Sequence, residues 1–190
     1  MRRCHQNAPV VVRSNRSFLT QPSFLRRTAD FLYRKGYDGY MKTRTSHSLE
    51  ETQDIAKEWL VDISIKTENL DKATIVGLSG HLGAGKTAFV KLIAKMLGIN
   101  ENVTSPTFVI MKNYNVDPKM GYANWKKLVH IDAYRLEKPE DLEALNFEEI
   151  ILDKDNLIMI EWPENVGLKT DNQINMKAVE GEGVFEMSFV

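Results

Sequence analysis

The chain has 190 residues, of which 43% are hydrophobic and 27% are charged, and its net charge is −1. This composition indicates one globular domain with a core of its own, and no apolar run approaches the roughly 18 residues that a transmembrane helix needs. The single cysteine, Cys4, excludes an internal disulfide and suits a reducing compartment. We therefore predict a cytoplasmic protein with no membrane partner.

Charge divides the chain into two parts. Residues 1–44 contain ten Lys or Arg and two Asp, a net charge of +8, which leaves 15 basic and 24 acidic residues, a net charge of −9, in residues 45–190. We interpret residues 1–44 as a disordered basic extension or as a non-native start upstream of Met41. A transit peptide and a basic arm that binds RNA are the alternatives. Residues 45–190 are predicted to form the folded domain.

The first predicted helix of this domain begins after Ser48. Ser48 stands at the N-cap and Glu51 three residues later, which is the pattern of a capping box. Apolar residues then recur at helical spacing through Ile55, Trp59 and Leu60. We expect Trp59 to pack in the core.

A phosphate-binding pattern occupies residues 80–87, which read Gly-His-Leu-Gly-Ala-Gly-Lys-Thr and fit G-x-x-x-x-G-K-[ST] at every fixed position. The apolar run 73–78 predicts a strand entering the loop, and residues 86–97 predict a helix leaving it. In this setting backbone N–H groups surround phosphate oxygens, Lys86 reaches the terminal phosphates, and the Thr87 hydroxyl binds Mg²⁺. A glycine-rich turn before an ordinary helix is the alternative.

A hairpin is predicted next to the loop, with strands at residues 107–115 and 128–132. The segment before it ends in Thr-Ser-Pro-Thr at residues 104–107. Two interpretations of these hydroxyls stay open: they contact the γ-phosphate of a nucleotide, or they belong to a turn fixed by Pro106. We interpret His130, inside the return strand, as a packed residue, with a general base as the alternative.

The remainder of the chain predicts a helix, a buried strand and a closing hairpin. The helix runs from Pro139 to about Leu152, with Pro at its first position. The apolar run 157–160 predicts a strand that ends on Glu161. Alternating residues at 174–179 and 184–190 predict a hairpin at the edge of the sheet.

Two carboxylates, Asp132 and Glu161, each follow a hydrophobic strand. Strand ends converge with the phosphate loop at the carboxyl edge of a parallel sheet, where a carboxylate completes the Mg²⁺ shell. We favour Glu161 as the Mg²⁺ ligand because its strand is apolar on both faces and therefore central. Asp132 would then orient or deprotonate the attacking water. For each residue, a carboxylate that only caps a loop is the alternative.

Arg135 is the only arginine in residues 45–190. Phosphoryl-transfer sites commonly neutralise transition-state charge with an arginine, which is worth about 10³ to 10⁵ in rate. We therefore predict a role for Arg135 in hydrolysis, slow turnover by the isolated domain, and activation by a partner. No Asn-Lys-x-Asp signature for guanine occurs, so ATP is favoured over GTP.

Five blocks of sequence resemble the TsaE family, also called YjeE, in their order and spacing over about residues 48–165. The blocks are Leu-Gly-Ala-Gly-Lys-Thr (82–87), Ser-Pro-Thr-Phe (105–108), His-Ile-Asp-Ala-Tyr-Arg-Leu (130–136), Pro-Glu-Asp-Leu-Glu (139–143) and Ile-Glu-Trp-Pro-Glu (160–164). The resemblance implies a small bacterial P-loop ATPase that supports formation of N6-threonylcarbamoyladenosine at position 37 of tRNA. It would act on TsaB and TsaD partners, which perform the transfer itself.

The resemblance also implies roles for individual residues. Thr87 and Glu161 would hold Mg²⁺, Asp132 would take part in hydrolysis, and Thr52 would lie near the nucleotide base. His81 departs from the family, whose loop often has Asp at that position. The residues assigned to the phosphates are Gly83, Ala84, Gly85, Lys86, Thr87 and Ala88.

We therefore predict an α/β fold, a single P-loop NTPase domain with a central, mostly parallel sheet flanked by helices and an antiparallel hairpin portion. Its cofactors would be ATP and Mg²⁺, its partners TsaD- and TsaB-like proteins, and tRNA would be engaged indirectly through that complex. A small-metabolite P-loop kinase is one alternative function. A nucleotide-gated regulatory binding module, in which Asp132 and Arg135 hold switch contacts, is another.

Overall fold

A computed structural model describes residues 43–122, 125–179 and 184–190. The predicted basic extension therefore lies outside the described residues except for its last two positions. The strand β1 (Thr43–Ser46) includes those two positions, so it spans the boundary predicted at residue 45. No helix in the described part of the chain is long and apolar enough to cross a membrane.

In the part of the chain that the structure describes, seven strands form one mixed sheet in the order β1-β7-β6-β2-β5-β4-β3. Neighbours β2 and β5, β2 and β6, and β4 and β5 are parallel, whereas the other three pairs are antiparallel. The predicted α/β class with a mostly parallel centre is confirmed. After β1 the strands are β2 (Thr74–Ser79), β3 (Met111–Asn115), β4 (Lys127–Asp132), β5 (Asn156–Glu161), β6 (Asn172–Ala178) and β7 (Phe185–Phe189).

Among the described residues, three α-helices accompany the sheet: α1 (Leu49–Lys66), α2 (Lys86–Met96) and α3 (Phe147–Leu152). Helices α1 and α2 contact each other, and their apolar residues share one core cluster with Leu128, Leu157 and Met159 of the sheet. A second cluster, which includes Val129, Ile131 and Ile158, covers the opposite face together with α3 and the segments beside it. The sheet is therefore buried on both faces, as a parallel sheet requires. Short 3-10 helices occur at Pro118–Met120, Ala133–Arg135, Pro139–Leu145 and Pro163–Val166.

The start of α1 confirms the predicted cap. The Ser48 side chain accepts a hydrogen bond from the backbone N–H of Glu51 at 3.1 Å. The Glu51 carboxylate accepts from the N–H of His47 at 2.6 Å, one residue before the position that the capping box predicts. Trp59 is buried and its ring packs edge-on against Phe89 of α2, as expected of a core residue.

The strand predicted at residues 107–115 is wrong in its first half. Residues 107–109 form a turn in which the Pro106 carbonyl accepts from the N–H groups of Val109 and Ile110. Ile110 then adopts a positive φ of 67°, which no strand accommodates. Extended pairing with β4 starts only at Met111.

Two further predictions need correction. The helix predicted from Pro139 to Leu152 is a 3-10 helix followed by α3, because Asn146 between them takes a left-handed φ of 54°. The C-terminal hairpin exists, but it does not lie at the edge of the sheet. Strand β1 pairs with β7 outside it, so β1 is the edge strand.

Candidate functional site

A cavity of about 400 Å³ opens where β2, β4 and β5 end. Open parallel sheets commonly bind ligands at this edge. The loop that follows β2 contributes almost half of the lining, and the ends of β4 and β5 contribute most of the rest. The described residues that line the cavity are Leu82, Gly83, Ala84, Gly85, Lys86, Thr87, Ala88, Ser105, Thr107, Asp132, Tyr134, Glu161 and Trp162.

The loop folds around the ammonium group of Lys86. Lys86 Nζ donates to the carbonyl oxygens of Gly80 at 2.6 Å and His81 at 3.0 Å, and it lies 3.6 Å from the centroid of the Trp162 ring. Burial lowers the pKa of Lys86 from its usual value of 10.5, while the carboxylates of Glu161, Glu164 and Asp132 oppose that shift. Lys86 therefore holds the loop closed with bonds that a phosphate group can replace.

Two glycines of the loop rest directly on the C-terminal hairpin. At Gly80, whose φ is 140°, a Cβ atom would lie 2.0 Å from the backbone oxygen of Met176. At Gly85, whose φ is 94°, it would touch the side chains of Phe185 and Met176. The positive φ angles favour glycine at both positions, and at Gly80 the close approach of the Met176 backbone also excludes a side chain. The shape of the loop is thus set by β6 and β7 as well as by its own sequence.

Thr87 and Glu161 meet at the base of the cavity. Thr87 Oγ1 lies 2.8 Å from Glu161 Oε1 and 3.0 Å from Oε2, so its hydroxyl donates to the carboxylate. Only 3% of Glu161 is exposed. Strand β5 lies between two parallel neighbours, β2 and β4, which confirms that the Glu161 strand is central.

The Thr87 and Glu161 oxygens fit a Mg²⁺ ion. Both are hard oxygen donors, and Mg²⁺ commonly takes one or two carboxylates together with water and substrate phosphates. Among the described residues no group of three or more His, Cys, Asp or Glu could hold a metal. A metal at this position would therefore depend on oxygens from a bound phosphate, as Mg²⁺ in nucleotide sites does.

Asp132 lies beside Glu161, because the two residues are register partners in β4 and β5. Its Oδ2 accepts hydrogen bonds from Thr107 Oγ1 and, at 2.9 Å, from Ser105 Oγ. Its Oδ1 accepts from the backbone N–H of Tyr134 at 3.1 Å. The carboxylate is thus fixed at the cavity wall, with only 4% of the residue exposed.

The turn predicted at Pro106 is present, whereas contact of the hydroxyls in segment 104–107 with a γ-phosphate stays a prediction. Pro106 is part of the turn that ends at Ile110, and the hydroxyls on either side of it reach Asp132 and line the cavity. The sequence contained the hydroxyls but gave no sign that their partner would be Asp132. Tyr134 also lines the cavity without having been predicted there, and Trp162 lines it next to the proposed metal ligand Glu161. The sequence signal of both residues was their position just after the end of a strand.

Two predicted site residues lie elsewhere. Thr52 is buried on α1, where its hydroxyl donates to the Ser48 carbonyl and lies 2.9 Å from Ser46 Oγ. Arg135 is exposed and its guanidinium lies 4.4 Å from the centroid of the Phe108 ring. Neither residue is among the described residues that line the cavity, whereas Gly83 to Ala88, Asp132 and Glu161 all are.

Comparison with known proteins identifies the family. Residues 46–184 match the model of the threonylcarbamoyl adenosine biosynthesis protein TsaE. The chain belongs to the TsaE family. This confirms the resemblance drawn from the five sequence blocks and associates the chain with the biosynthesis of threonylcarbamoyladenosine in tRNA.

Relatives that carry the family name come from several bacteria. The TsaE protein of Rickettsia prowazekii is 40% identical over 121 residues, which are 63% of this chain and 73% of the relative. The protein of Haemophilus influenzae is 38% identical over 94 residues, covering 50% and 54%, and that of Streptomyces coelicolor is 43% identical over 91 residues, covering 47% and 57%. The match therefore spans between about half and three quarters of each relative.

The fold is also similar to a solved structure. The chain superposes on the crystal structure of Bacillus subtilis YdiB with a TM-score of 0.52 and 27% sequence identity. The superposition covers 77% of this chain and 82% of YdiB. Together with the loop geometry, this similarity favours a nucleotide-binding protein.

Proposed function

We propose that this chain binds ATP with Mg²⁺ in the cavity and hydrolyses the γ-phosphate. The observation that carries the proposal is the meeting of three groups at one sheet edge. The phosphate loop, the Thr87 and Glu161 pair, and the carboxylate of Asp132 all line the same cavity. Each group is of the type that phosphoryl transfer needs, and each comes from a different strand end.

The backbone N–H groups of residues 83–88, at the start of α2, would bind the phosphate oxygens. Lys86 would exchange its bonds to the Gly80 and His81 carbonyls for bonds to the terminal phosphates. Thr87 and Glu161 would hold Mg²⁺, which supplies charge neutralisation on the phosphates when bound. These residues bind and orient the nucleotide but do not move a proton.

Asp132 is proposed to orient or deprotonate the attacking water. Its carboxylate is held by Ser105, Thr107 and the N–H of Tyr134, so it is oriented before a nucleotide arrives. A positioned general base contributes about 10² to 10⁴ in rate. Asp132 is therefore the residue whose loss is expected to separate hydrolysis from nucleotide binding.

Turnover by the isolated chain is proposed to be slow. No arginine is present among the described residues lining the cavity, and Arg135 lies on the surface against Phe108. A catalytic arginine is worth about 10³ to 10⁵ in rate. We propose that Arg135 assists hydrolysis only after it leaves Phe108, in a complex with partners.

The cellular role follows from the family. We propose that the chain acts in the cytoplasm on a complex of TsaB- and TsaD-like proteins during threonylcarbamoylation of adenosine 37, meets tRNA only through that complex, and does not transfer the threonylcarbamoyl group. We also propose that Thr52 lies near the nucleotide base, although Thr52 is not among the described residues that line the cavity.

The test is the rate of ATP hydrolysis by the chain alone, with the partner complex, and with the complex plus tRNA. We expect the complex to accelerate hydrolysis, and a Lys86→Ala chain to show no acceleration. An unchanged rate would contradict action on these partners. Acceleration by a small-molecule acceptor instead would favour the metabolite kinase.

The contacts of Asp132 also support a second candidate, the nucleotide-gated binding module. Its carboxylate ties β4 to the segment 105–107, and Arg135 three residues later contacts Phe108, the residue that follows this segment. A γ-phosphate that attracted these hydroxyls would move the segment without any hydrolysis. For such a module, Asp132→Asn leaves partner binding and tRNA modification intact.

A further inference from the structure

We propose that His130 is a positioning residue, which orients the Glu161 carboxylate toward Mg²⁺ at the nucleotide site. The inference rests on the proposed function. His130 lies within β4 and has no exposed surface. Its Nε2 atom is 2.8 Å from Glu161 Oε1, which makes the imidazole a direct neighbour of the proposed metal ligand.

The hydrogen bond defines which imidazole nitrogen carries the proton. An ionised carboxylate only accepts hydrogen bonds, so His130 Nε2 must be the donor. The other ring nitrogen, Nδ1, is buried and has no partner among the described residues. The ring therefore presents its Nε2–H to the Glu161 carboxylate.

His130 and Thr87 contact the same carboxylate, but only Thr87 is also a proposed metal ligand. Both lie close to Glu161 Oε1, at 2.8 Å each. Thr87 is itself a proposed metal ligand, so its oxygen would also have to face a bound metal. His130 is the partner of Glu161 that is not a proposed ligand.

The position of His130 in the sheet suits its ring to orient the Glu161 carboxylate. It belongs to a strand paired on both sides, with Met159 of β5 and Lys112 of β3 as its register partners. Carboxylates that ligate metals are generally held by such outer hydrogen bonds, and loss of one commonly costs about 10- to 100-fold in metal affinity. His130 would thus act through Glu161, without contact to the nucleotide or the metal.

The test compares two amide side chains of different reach in the full chain. In His130→Gln the amide nitrogen reaches about as far as Nε2, whereas in His130→Asn it stops near Nδ1. His130→Leu removes the donor altogether and serves if the Asn variant does not fold. Ile131→Val is the matched control, because Ile131 is equally buried in β4 but packs on the opposite face of the sheet.

The measurement is the affinity for a fluorescent ATP analogue, with excess EDTA and over a Mg²⁺ titration. We expect the Mg²⁺ concentration for half-maximal effect to rise by about 10- to 100-fold in His130→Asn and His130→Leu, with the affinity in EDTA unchanged. His130→Gln and Ile131→Val should titrate like the wild type.

Two outcomes would overturn the inference. One is a wild-type Mg²⁺ titration in both His130→Asn and His130→Leu. The other is a Gln variant as impaired as the Leu variant, which would assign the effect to packing. If Mg²⁺ does not change the nucleotide affinity of the wild-type chain, the proposed function itself is contradicted. Failure of the inference and failure of the proposed function are therefore distinguishable.

Discussion

Replacement of Asp132 by Asn is the sharpest way to separate binding from hydrolysis at this site. In the structure, Oδ2 of Asp132 accepts from the hydroxyls of Ser105 and Thr107, and Oδ1 accepts from the backbone N–H of Tyr134. An Asn side chain keeps an oxygen for Tyr134 and turns its NH₂ group toward the two hydroxyls. Both hydroxyls can rotate to accept from it, so no buried group loses its partner.

The expected magnitudes follow from these contacts. Hydrogen bonds to a charged group contribute about 1.5 to 3 kcal/mol each and neutral ones about 0.5 to 1.5 kcal/mol, so converting all three to neutral bonds lowers the free energy of unfolding by about 3 kcal/mol. Asp132 is almost fully buried, so solvent screening does not reduce this value much. Loss of a general base lowers the hydrolysis rate by about 10² to 10⁴, or roughly 3 to 5 kcal/mol of activation free energy. Nucleotide affinity should be unchanged, because Asp132 is not a proposed phosphate or metal ligand.

The assay combines urea unfolding, binding of a fluorescent ATP analogue, and phosphate release in the presence of the partner complex. Asp155→Asn is the control, because Asp155 is a partly buried carboxylate that pairs with the exposed Lys126 and lies outside the cavity lining. We expect this control to leave hydrolysis unchanged. A wild-type rate of phosphate release by Asp132→Asn would refute the proposal that Asp132 orients or deprotonates the attacking water.

Three further predictions concern the loop glycines, Lys86 and Arg135. Gly80→Ala should cost about 3 kcal/mol or more of unfolding free energy, because its Cβ meets the Met176 backbone oxygen and its φ is 140°. Gly83→Ala, with a φ of 81° and open space around it, should cost only about 1 to 2 kcal/mol, and equal losses in urea unfolding would contradict this account. Since burial lowers the pKa of Lys86, nucleotide affinity should fall as pH rises through a range below 10.5. Over the same pH range, Lys86 binds a proton more often in the unfolded state than in the folded state, so the free energy of unfolding rises with pH. A Lys86→Met chain should show neither of these two pH dependences. Arg135→Ala should lower partner-stimulated hydrolysis more than nucleotide affinity, since Arg135 does not line the cavity, and equal losses of both would exclude a transition-state role.

The elements around the phosphate loop could be predicted because their determinants are local. The β-branched run before Gly80 and the helical pattern after Gly85 each specify one element over a short stretch of sequence. The central position of the Glu161 strand was also readable, since a strand buried on both faces is apolar throughout. The same argument placed Asp132 and Glu161 at a shared sheet edge, where the structure has them as register partners.

The errors arise where the backbone takes conformations that hydrophobic patterns do not report. Ile110 and Asn146 both have positive φ angles, and each interrupts an element that the pattern would continue. Strand β1 was missed because four polar or charged residues at an edge carry no alternation signal. The expectation for Thr52 came from the family resemblance alone, and the structure turns its hydroxyl to Ser46 and Ser48.

The support of the phosphate loop by the C-terminal hairpin has a consequence for biosynthesis of the protein. Every described residue that lines the cavity lies between Leu82 and Trp162, but Gly80 and Gly85 rest on strands β6 and β7, which are translated after all of them. A nascent chain that ends before β6 therefore carries all of the lining residues without the surface that shapes the loop. We expect the loop to reach its final shape only after β6 and β7 have been synthesised and have folded.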